Sequence, residues 1–393
     1  MNKISRVVKG LALLAVTLIF ITSCGAIDDA PDADQNVGSG TALADEFDQF
    51  VAEMVDESQI PGTAVALIQN GEVVLLKGYG FRDLENQLPA TPDTLFHIAS
   101  TQKSMTAMLV ATLVDDGIVN WDTPLVEITL DFALGSGGES ITLRHLLSMS
   151  SGIPDSAEDD FYDQGYEESA TSIWPLLADT DPLGAPGEVF SYSNISSSMA
   201  GYAAVLALEP DAADLDVAYG ELFFERVVRP IGMESAAFSV VEASQSRNYG
   251  KSYILDGNDF VEAEREDIDG DTLTPSGVIK ASAAEMALYI QTQLNEGMAP
   301  NGTRIVSAEN MRAMLEPQIE DDDEAYALGW GVAEYEGVIL NFHEGSYDNY
   351  ESVIGFVPEL GIGFVVLTNS IDAAVDLIAE APWFVVETAL DLR

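Results

Sequence analysis

Segments with β-strand patterning lie near the two ends of this chain, and the middle has few of them. Near the start, residues 63–68 and 73–80 flank Asn70-Gly71, which is a strong hairpin signal. Near the end, four further short strands are predicted at residues 329–335, 338–342, 352–357 and 362–368. This distribution favours one antiparallel sheet built from both ends, with the middle of the chain looped out.

Helical periodicity covers the segments that flank these strands. Residues 43–57 and 372–392 carry apolar side chains at helical spacing, although Pro382 is expected to kink or interrupt the second helix. The middle of the chain is rich in Ser, Asp, Gly and short helical stretches. We therefore predict an α+β protein in which residues 43–393 form an antiparallel sheet flanked by helices. An inserted all-helical lobe is expected at about residues 126–261.

The first 23 residues have the pattern of an export signal. Lys3, Arg6 and Lys9 precede an apolar run at residues 11–21, which is shorter than the roughly 20 residues that a transmembrane helix needs. The run ends in Ile21-Thr22-Ser23-Cys24, which resembles a bacterial lipobox. This resemblance implies cleavage before Cys24 and a lipid on its thiol, which would anchor the exported protein to a bacterial membrane. An ordinary signal peptide with a chance cysteine is the alternative.

The composition excludes several classes of function. The sequence holds 66 Asp+Glu against 16 Lys+Arg, whereas a nucleic-acid-binding surface is basic. Residues 24–42 are small and acidic, and we expect them to form a flexible tether. A single cysteine excludes an internal disulfide, and three histidines leave little room for a zinc site. A short acidic run at residues 320–324 is interpreted as a solvated loop.

Ser100 and Lys103 form an S-x-x-K motif at the start of a predicted helix that runs to Gly117. Their spacing places both side chains on one helix face, with Cβ atoms about 5–6 Å apart. A hydroxyl becomes a good nucleophile when a base removes its proton, and a partly enclosed lysine can lose its own proton and serve as that base. The same letters also fit a serine helix cap followed by a surface lysine.

Tyr192-Ser193-Asn194 is the second motif. Side chains two positions apart in an extended segment point the same way, so Tyr192 and Asn194 would face one cleft. A nearby cation would lower the pKa of Tyr192 and allow it to share the role of base with Lys103. A turn is the alternative interpretation of this triplet.

His343-Glu344-Gly345-Ser346 follows a predicted strand and is the third motif. The absence of a side chain at Gly345 would let substrate approach the backbone. The N–H groups of Ser346 and Ser100 would then bind an oxyanion together. A histidine packed at the end of a strand is the alternative for His343.

The order S-x-x-K, Y-x-N, H-x-G, with gaps of about 90 and 150 residues, resembles that of the class C β-lactamase-like serine hydrolases. This family includes β-lactamases, D-alanyl-D-alanine carboxypeptidases and carboxylesterases. Four further stretches match it: Phe96-His97-Ile98-Ala99, residues 142–152, Pro230-Ile231-Gly232-Met233 and residues 362–369. The resemblance covers about residues 43–392. It implies a site between the sheet and the helical lobe, with no metal or organic cofactor and with structural roles for His97 and His145.

This resemblance also implies a role for each motif residue. Ser100 would attack a carbonyl group and form an acyl-enzyme that water then hydrolyses. Lys103 and Tyr192 would move the proton to and from Ser100, and Asn194 would hold Lys103. The expected substrate-binding residues are Asn194, His343, Gly345 and Ser346.

The third motif departs from the lactamase pattern in its charge. His343 stands where many relatives carry the lysine of K-T-G, and Glu344 replaces the threonine. In relatives those two residues bind a substrate carboxylate, which a neutral histidine and a negative glutamate would not favour. We therefore expect a neutral ester or amide, as a small molecule or a peptide, provided that Glu344 faces the cleft.

Other functions stay open at this point. A β-lactamase or a D-alanyl-D-alanine carboxypeptidase is the alternative within the resemblance. A non-catalytic surface protein that binds peptidoglycan fragments is disfavoured because Ser100, Lys103 and Tyr192 are all present. A Ser–His–Asp hydrolase that uses His343 is disfavoured because the chain has no G-x-S-x-G elbow.

The acidic composition predicts how stability depends on salt. Removing residues 1–23 removes three basic residues and no acidic ones, so 13 basic and 66 acidic residues remain, a net charge of −53. In molar salt the Debye length falls to about 3 Å, which weakens this self-repulsion. We expect a saline habitat and a melting temperature of the mature chain that rises with NaCl. A melting temperature that falls with added salt would contradict this, and the acidic surface would then serve solubility alone.

Overall fold

The strands of this protein come mainly from both ends of the chain. The computed structural model describes residues 41–129, 132–134, 137–163, 169–263, 273–321 and 324–392. The predicted signal segment, Cys24 and the tether up to residue 40 lie outside the described residues. The strands in chain order are β1 (Gly62–Gln69), β2 (Glu72–Asp83), β3 (Leu88–Pro89), β4 (Phe96–His97), β5 (Tyr253–Asp256), β6 (Asp259–Glu262), β7 (Lys280–Ala281), β8 (Ile319–Asp321), β9 (Glu324–Tyr326), β10 (Gly331–Tyr335), β11 (Val338–Tyr347), β12 (Tyr350–Val357) and β13 (Ile362–Thr368).

Nine of these strands form one antiparallel sheet in the order β3-β2-β1-β13-β12-β11-β10-β9-β8. β1 lies between β2 and β13, and Thr63 pairs with Thr368, so the first and last strands of the sequence are neighbours. The predicted antiparallel sheet built from both ends is confirmed. Sequence analysis missed β3, β8 and β9 because strands of two or three residues are too short to show alternation.

Helices cover the sheet and fill the middle of the chain. In chain order they are α1 (Ala42–Glu57), α2 (Gln102–Asp115), α3 (Leu125–Ile128), α4 (Leu143–Leu147), α5 (Ser156–Asp163), α6 (Ile173–Ala178), α7 (Asn194–Leu208), α8 (Leu215–Phe223), α9 (Arg229–Ile231), α10 (Val240–Gln245), α11 (Thr274–Gly277), α12 (Ala283–Leu294), α13 (Ala308–Leu315) and α14 (Ile371–Asp391). Within the described part of the chain, no helix is long and apolar enough to cross a bilayer.

The structure contradicts two expectations about these elements, an interruption of the last helix at Pro382 and an all-helical lobe. α14 runs through Pro382 without interruption. Ala381 and Val385 are buried on either side of that proline, and their packing offsets the roughly 3 kcal/mol that an interior proline costs. The predicted lobe is also not all-helical, because β5 and β6 pair as a hairpin around Gly257. Their side chains are mostly exposed, so their apolar pattern is weak.

The two faces of the sheet bury separate apolar cores. In β1, Ala64 and Ala66 belong to the large core that includes α2 and α12, whereas Val65 and Leu67 belong to the core formed with α1 and α14. Successive strand residues point to opposite faces, so a central strand covered on both sides is apolar throughout. This arrangement places α2 between the sheet and the helices of the middle segment.

α2 is buried along nearly its whole length, from Gln102 to Leu113. A helix that is enclosed on all sides carries few polar side chains unless they have a partner or a function. Lys103, in the first turn of α2, is such a residue.

Candidate active site

Ser100 lies in a short 3-10 turn, Ala99–Thr101, directly before α2. Ala99 adopts a left-handed backbone conformation with φ +48°, which is uncommon for a residue other than glycine. His97 Nδ1 accepts a hydrogen bond from the N–H of Ala99 at 3.2 Å, and this bond supports the turn. Burial keeps the pKa of His97 well below its ordinary value, so the ring is neutral and can accept. His97 therefore has a structural role here.

The side chains of Ser100 and Lys103 are in direct contact. Lys103 Nζ lies 2.8 Å from Ser100 Oγ and donates a second hydrogen bond of 2.9 Å to the carbonyl of Ser276. The lysine is fully buried, and this burial lowers its pKa to about 7, although the negative charge of Glu158 acts in the opposite direction. The alternative prediction, a serine helix cap followed by a surface lysine, does not fit a lysine that is buried. The amine is available as a base near neutral pH.

Tyr192 stands beside the same pair. Its side chain is hydrogen-bonded to Ser100, and its ring centroid lies 4.9 Å from Lys103 Nζ. Burial raises the pKa of Tyr192 above its ordinary value, so the expectation of a lowered pKa is wrong. Desolvation outweighs the lowering effect of the hydrogen bond with Ser100, and the charge of Glu158 raises the pKa of Tyr192 further. Tyr192 is therefore protonated at neutral pH and acts as a donor or relay.

Asn194 is the first residue of α7, and Ser193 caps that helix. Asn194 and Tyr192 line the same cavity, as their spacing predicts. The contact expected of Asn194 is with Lys103. In the structure, Asn194 Nδ2 donates to both carboxylate oxygens of Glu158, at 2.9 and 3.0 Å. Sequence analysis missed Glu158, which lies on α5 and belongs to no recognised motif.

β11 brings the third motif to the nucleophile and continues through it to Tyr347. A Cβ atom added at Gly345 would lie 2.7 Å from the carbonyl oxygen of Ile98 and 2.9 Å from the N of Ser100. The missing side chain therefore makes room for the backbone before α2, whereas sequence analysis assigned this space to the substrate. Gly345 allows β11 to lie directly beside Ser100.

The backbone N–H of Ser346 points away from β12. Asp348 and Asn349 both have positive φ and form a two-residue turn between β11 and β12. In a turn of this type the flanking residues, here Tyr347 and Tyr350, are a hydrogen-bonded pair. Hydrogen-bonded and non-hydrogen-bonded pairs alternate along two antiparallel strands, so the next pair, Ser346 and Glu351, is not hydrogen-bonded. The N–H of Ser346 therefore points away from β12. Ser100 and Ser346 line the same cavity. Donors at Ser100 and Ser346 are suited to a developing oxyanion.

His343 is buried and neutral. Burial and the nearby Lys103 lower its pKa to about 3. Its Nδ1 donates to the carbonyl of Glu344, so Nε2 is the acceptor for the Tyr326 hydroxyl at 2.9 Å. Both ring nitrogens therefore have partners other than Ser100, and His343 supplies no positive charge for a substrate carboxylate.

A cavity of about 610 Å³ opens over these residues. Glu344 lines this cavity, which is the condition under which a neutral substrate was expected. Glu324 lines it too, so the interpretation of residues 320–324 as a solvated loop is wrong for that residue, which begins β9. The described motif residues along its wall are Ser100, Tyr192, Asn194, His343, Gly345 and Ser346. A smaller cavity of about 60 Å³ lies between Ser100, Glu158 and Ser276.

Comparisons with known proteins agree with this fold. The Beta-lactamase family model matches residues 47–382. Protein flp of Staphylococcus aureus (strain N315) is 26% identical over 326 residues, which cover 82% of this chain and 62% of that protein. Unguisins hydrolase ungD' of Aspergillus campestris (strain IBT 28561) is 29% identical over 348 residues, which cover 84% and 62%. The chain thus spans 62% of the length of these two curated relatives.

A solved structure is similar as well. The octameric penicillin-binding protein homologue from Pyrococcus abyssi superimposes with a TM-score of 0.73 at 28% identity, over 84% of this chain and 74% of that chain. The fold is therefore that of the β-lactamase and penicillin-binding protein type. The chain belongs to the Beta-lactamase family.

The lowered pKa of Lys103 predicts a pH dependence of hydrolysis. Protonated below its pKa of about 7, the amine cannot accept the Ser100 proton, so kcat/KM for p-nitrophenyl butyrate should rise as pH increases through about 7. The charge of Glu158 raises the pKa of Lys103, so Glu158→Gln should move this rise to lower pH.

A profile that stays flat between about pH 5 and 9, or a rise that moves to higher pH in Glu158→Gln, would contradict this assignment. Glu336→Gln is the matched control because Glu336 is exposed in the β10–β11 turn outside the cavity. Its profile should coincide with that of the unchanged protein.

Proposed function

We propose that this protein cleaves an ester or amide through an acyl-enzyme formed on Ser100. The contact of 2.8 Å between Lys103 Nζ and Ser100 Oγ carries this proposal, because the amine is buried and its pKa is lowered to about 7. A buried lysine with no ion-pair partner in the described chain is costly, and a role as base accounts for that cost.

The geometry supports a sequence of proton transfers that returns each group to its initial state. Ser100 Oγ bonds to the substrate carbonyl carbon while its proton passes to the Lys103 amine, and the N–H groups of Ser100 and Ser346 stabilise the oxyanion. The proton then passes through the Tyr192 phenol to the leaving group as the carbonyl–leaving-group bond breaks. Water next attacks the acyl carbon and gives a proton to the same amine. Ser100 leaves with that proton.

The substrate class proposed is a neutral ester or amide in preference to one with a free carboxylate. Glu324, Glu344 and Glu351 line the cavity, and His343 is neutral. A substrate carboxylate would meet negative charge there, which costs affinity. A β-lactamase or D-alanyl-D-alanine carboxypeptidase is the alternative, because the nucleophile and its base would serve those amides equally. A surface protein that only binds would have no use for the Lys103–Ser100 pair.

Hydrolysis of two chromogenic substrates tests both parts of this proposal. We expect kcat/KM for p-nitrophenyl butyrate to exceed that for nitrocefin, which carries a carboxylate, by about tenfold or more. Ser100→Ala should abolish both activities together with labelling by a fluorophosphonate probe, because the nucleophile is then absent.

Nitrocefin hydrolysis at a rate that rivals the ester would overturn the substrate preference and favour a β-lactamase. Labelling and hydrolysis that persist in Ser100→Ala would overturn the nucleophile. The control is Ser140→Ala, a removal of one hydroxyl at an exposed position in a loop that does not line the cavity, and both activities should remain.

We also propose that the protein is exported and held on a bacterial membrane by a lipid on Cys24. The basic residues before the apolar run and the Ile21-Thr22-Ser23-Cys24 sequence support this. The full chain expressed in a bacterium should incorporate radiolabelled palmitate and sediment with membranes. Cys24→Ala should lose both. Incorporation of label by the Cys24→Ala chain would contradict the assignment.

A further inference from the structure

The wall of the catalytic cavity carries three carboxylates. Glu324, Glu344 and Glu351 line it, and no lysine or arginine does so among the described residues. Neither Glu344 nor Glu351 forms an ion pair with a described lysine or arginine. The lysine below, Lys103, is buried, and its pKa is lowered to about 7, so at neutral pH it carries only part of a positive charge.

Two of these carboxylates are neighbours of Ser346 in the sheet. Glu344 and Ser346 are two positions apart on β11 and therefore point to the same face. Glu351 is the cross-strand partner of Ser346 and is hydrogen-bonded to its side chain. Cross-strand neighbours have Cβ atoms about 4.5–5.5 Å apart. Ser100 lines the same cavity, so a group bound to these carboxylates would share that cavity with the carbonyl that Ser100 attacks.

The carboxylates also interact with one another. Burial and the charge of Glu344 raise the pKa of Glu351 to about 7, and burial and the charge of Glu324 raise the pKa of Glu344. A neutral substrate that displaces water from the cavity would increase this electrostatic cost. A substrate with a positive charge would reduce it.

Aromatic rings in the same cavity are an independent indication of the ligand. Phe190, Tyr192, Tyr326 and Phe342 line it. The ring of Tyr326 lies 5.6 Å from that of Phe190 and 6.5 Å from that of Tyr192, between ring centroids. The faces of aromatic rings attract cations, and groups of such rings are used in proteins to bind quaternary ammonium compounds.

We propose that the preferred substrate is an ester or amide that carries an organic cation, an ammonium or quaternary ammonium group, bound by Glu344, Glu351 and the aromatic wall. This inference rests on the proposed function and specifies its substrate class. The volume of about 610 Å³ suits a small organic molecule. A metal ion is not the expected cation, because no group of three or more ligating side chains in the described ranges is arranged to hold one.

Two pairs of matched esters test this proposal, because the part of the substrate that carries the charge is not specified. For the leaving-group side, choline butyrate is compared with its neutral isostere, 3,3-dimethylbutyl butyrate. For the acyl side, p-nitrophenyl 4-(trimethylammonio)butanoate is compared with p-nitrophenyl 5,5-dimethylhexanoate. We expect the ratio of kcat/KM, cationic to neutral, to be about tenfold or more in at least one pair. The ratio should remain above one in 1 M NaCl, where screening removes the long-range effect of the net charge.

Charge-removing variants identify the residues responsible. Glu344→Gln and Glu351→Gln, alone and together, should lower the cationic-to-neutral ratio severalfold. Glu336→Gln removes the same charge at an exposed position in the β10–β11 turn and should leave the ratio unchanged. A ratio near one in both pairs, or an equal loss in Glu336→Gln, would overturn the proposal.

A second measurement works without turnover and without variants. Choline should slow the labelling of Ser100 by a neutral fluorophosphonate more than 3,3-dimethylbutanol does, and equal protection by both would overturn the cation preference. Failure of this inference is distinct from failure of the proposed function. In the first case the neutral esters are hydrolysed and Ser100 is labelled, and in the second case neither occurs.

Discussion

The amine of Lys103 is removed from water and held 2.8 Å from the hydroxyl of Ser100, and the arrangement of the site depends on this contact. The amine can stay there because α2 is enclosed by the sheet on one side and by helices of the middle segment on the other. Close packing extends to the backbone, since a Cβ atom at Gly329 would lie 2.7 Å from the carbonyl oxygen of Lys103. The same burial that positions the amine lowers its pKa to about 7.

Burial shifts the pKa values of the two candidate bases in opposite directions, downward for Lys103 and upward for Tyr192, and this separates their roles. It favours the neutral form of both groups, which for Lys103 is the form that accepts a proton and for Tyr192 is the form that donates one. His343 is neutral for the same reason and contributes shape and a hydrogen bond to Tyr326. The formal charges that remain on the cavity wall are therefore those of its glutamates.

The central sheet and the motif residues could be predicted from the sequence because their signals are local. Apolar and β-branched side chains in residues 63–68 and 362–368 identified strands that the structure pairs with each other, and the family indicated by the motifs is confirmed. Glu158 and Glu324 could not be found in this way, because the first belongs to no motif and the second ends an acidic run that resembles a solvated loop. Pro382 misled the analysis because the packing of α14 outweighs a local preference.

The sequence by itself determined which chemical groups are present, their order along the chain and the alternation that places strands in one sheet. It also determined a strongly acidic composition and an export-like first segment. Only the tertiary structure decided which groups are deprived of water, because burial depends on residues far apart in the chain that pack around each side chain. For that reason the direction of the pKa shift of Tyr192, the space taken at Gly345 and the presence of Glu324 and Glu351 beside Glu344 on the cavity wall emerged only from the folded chain.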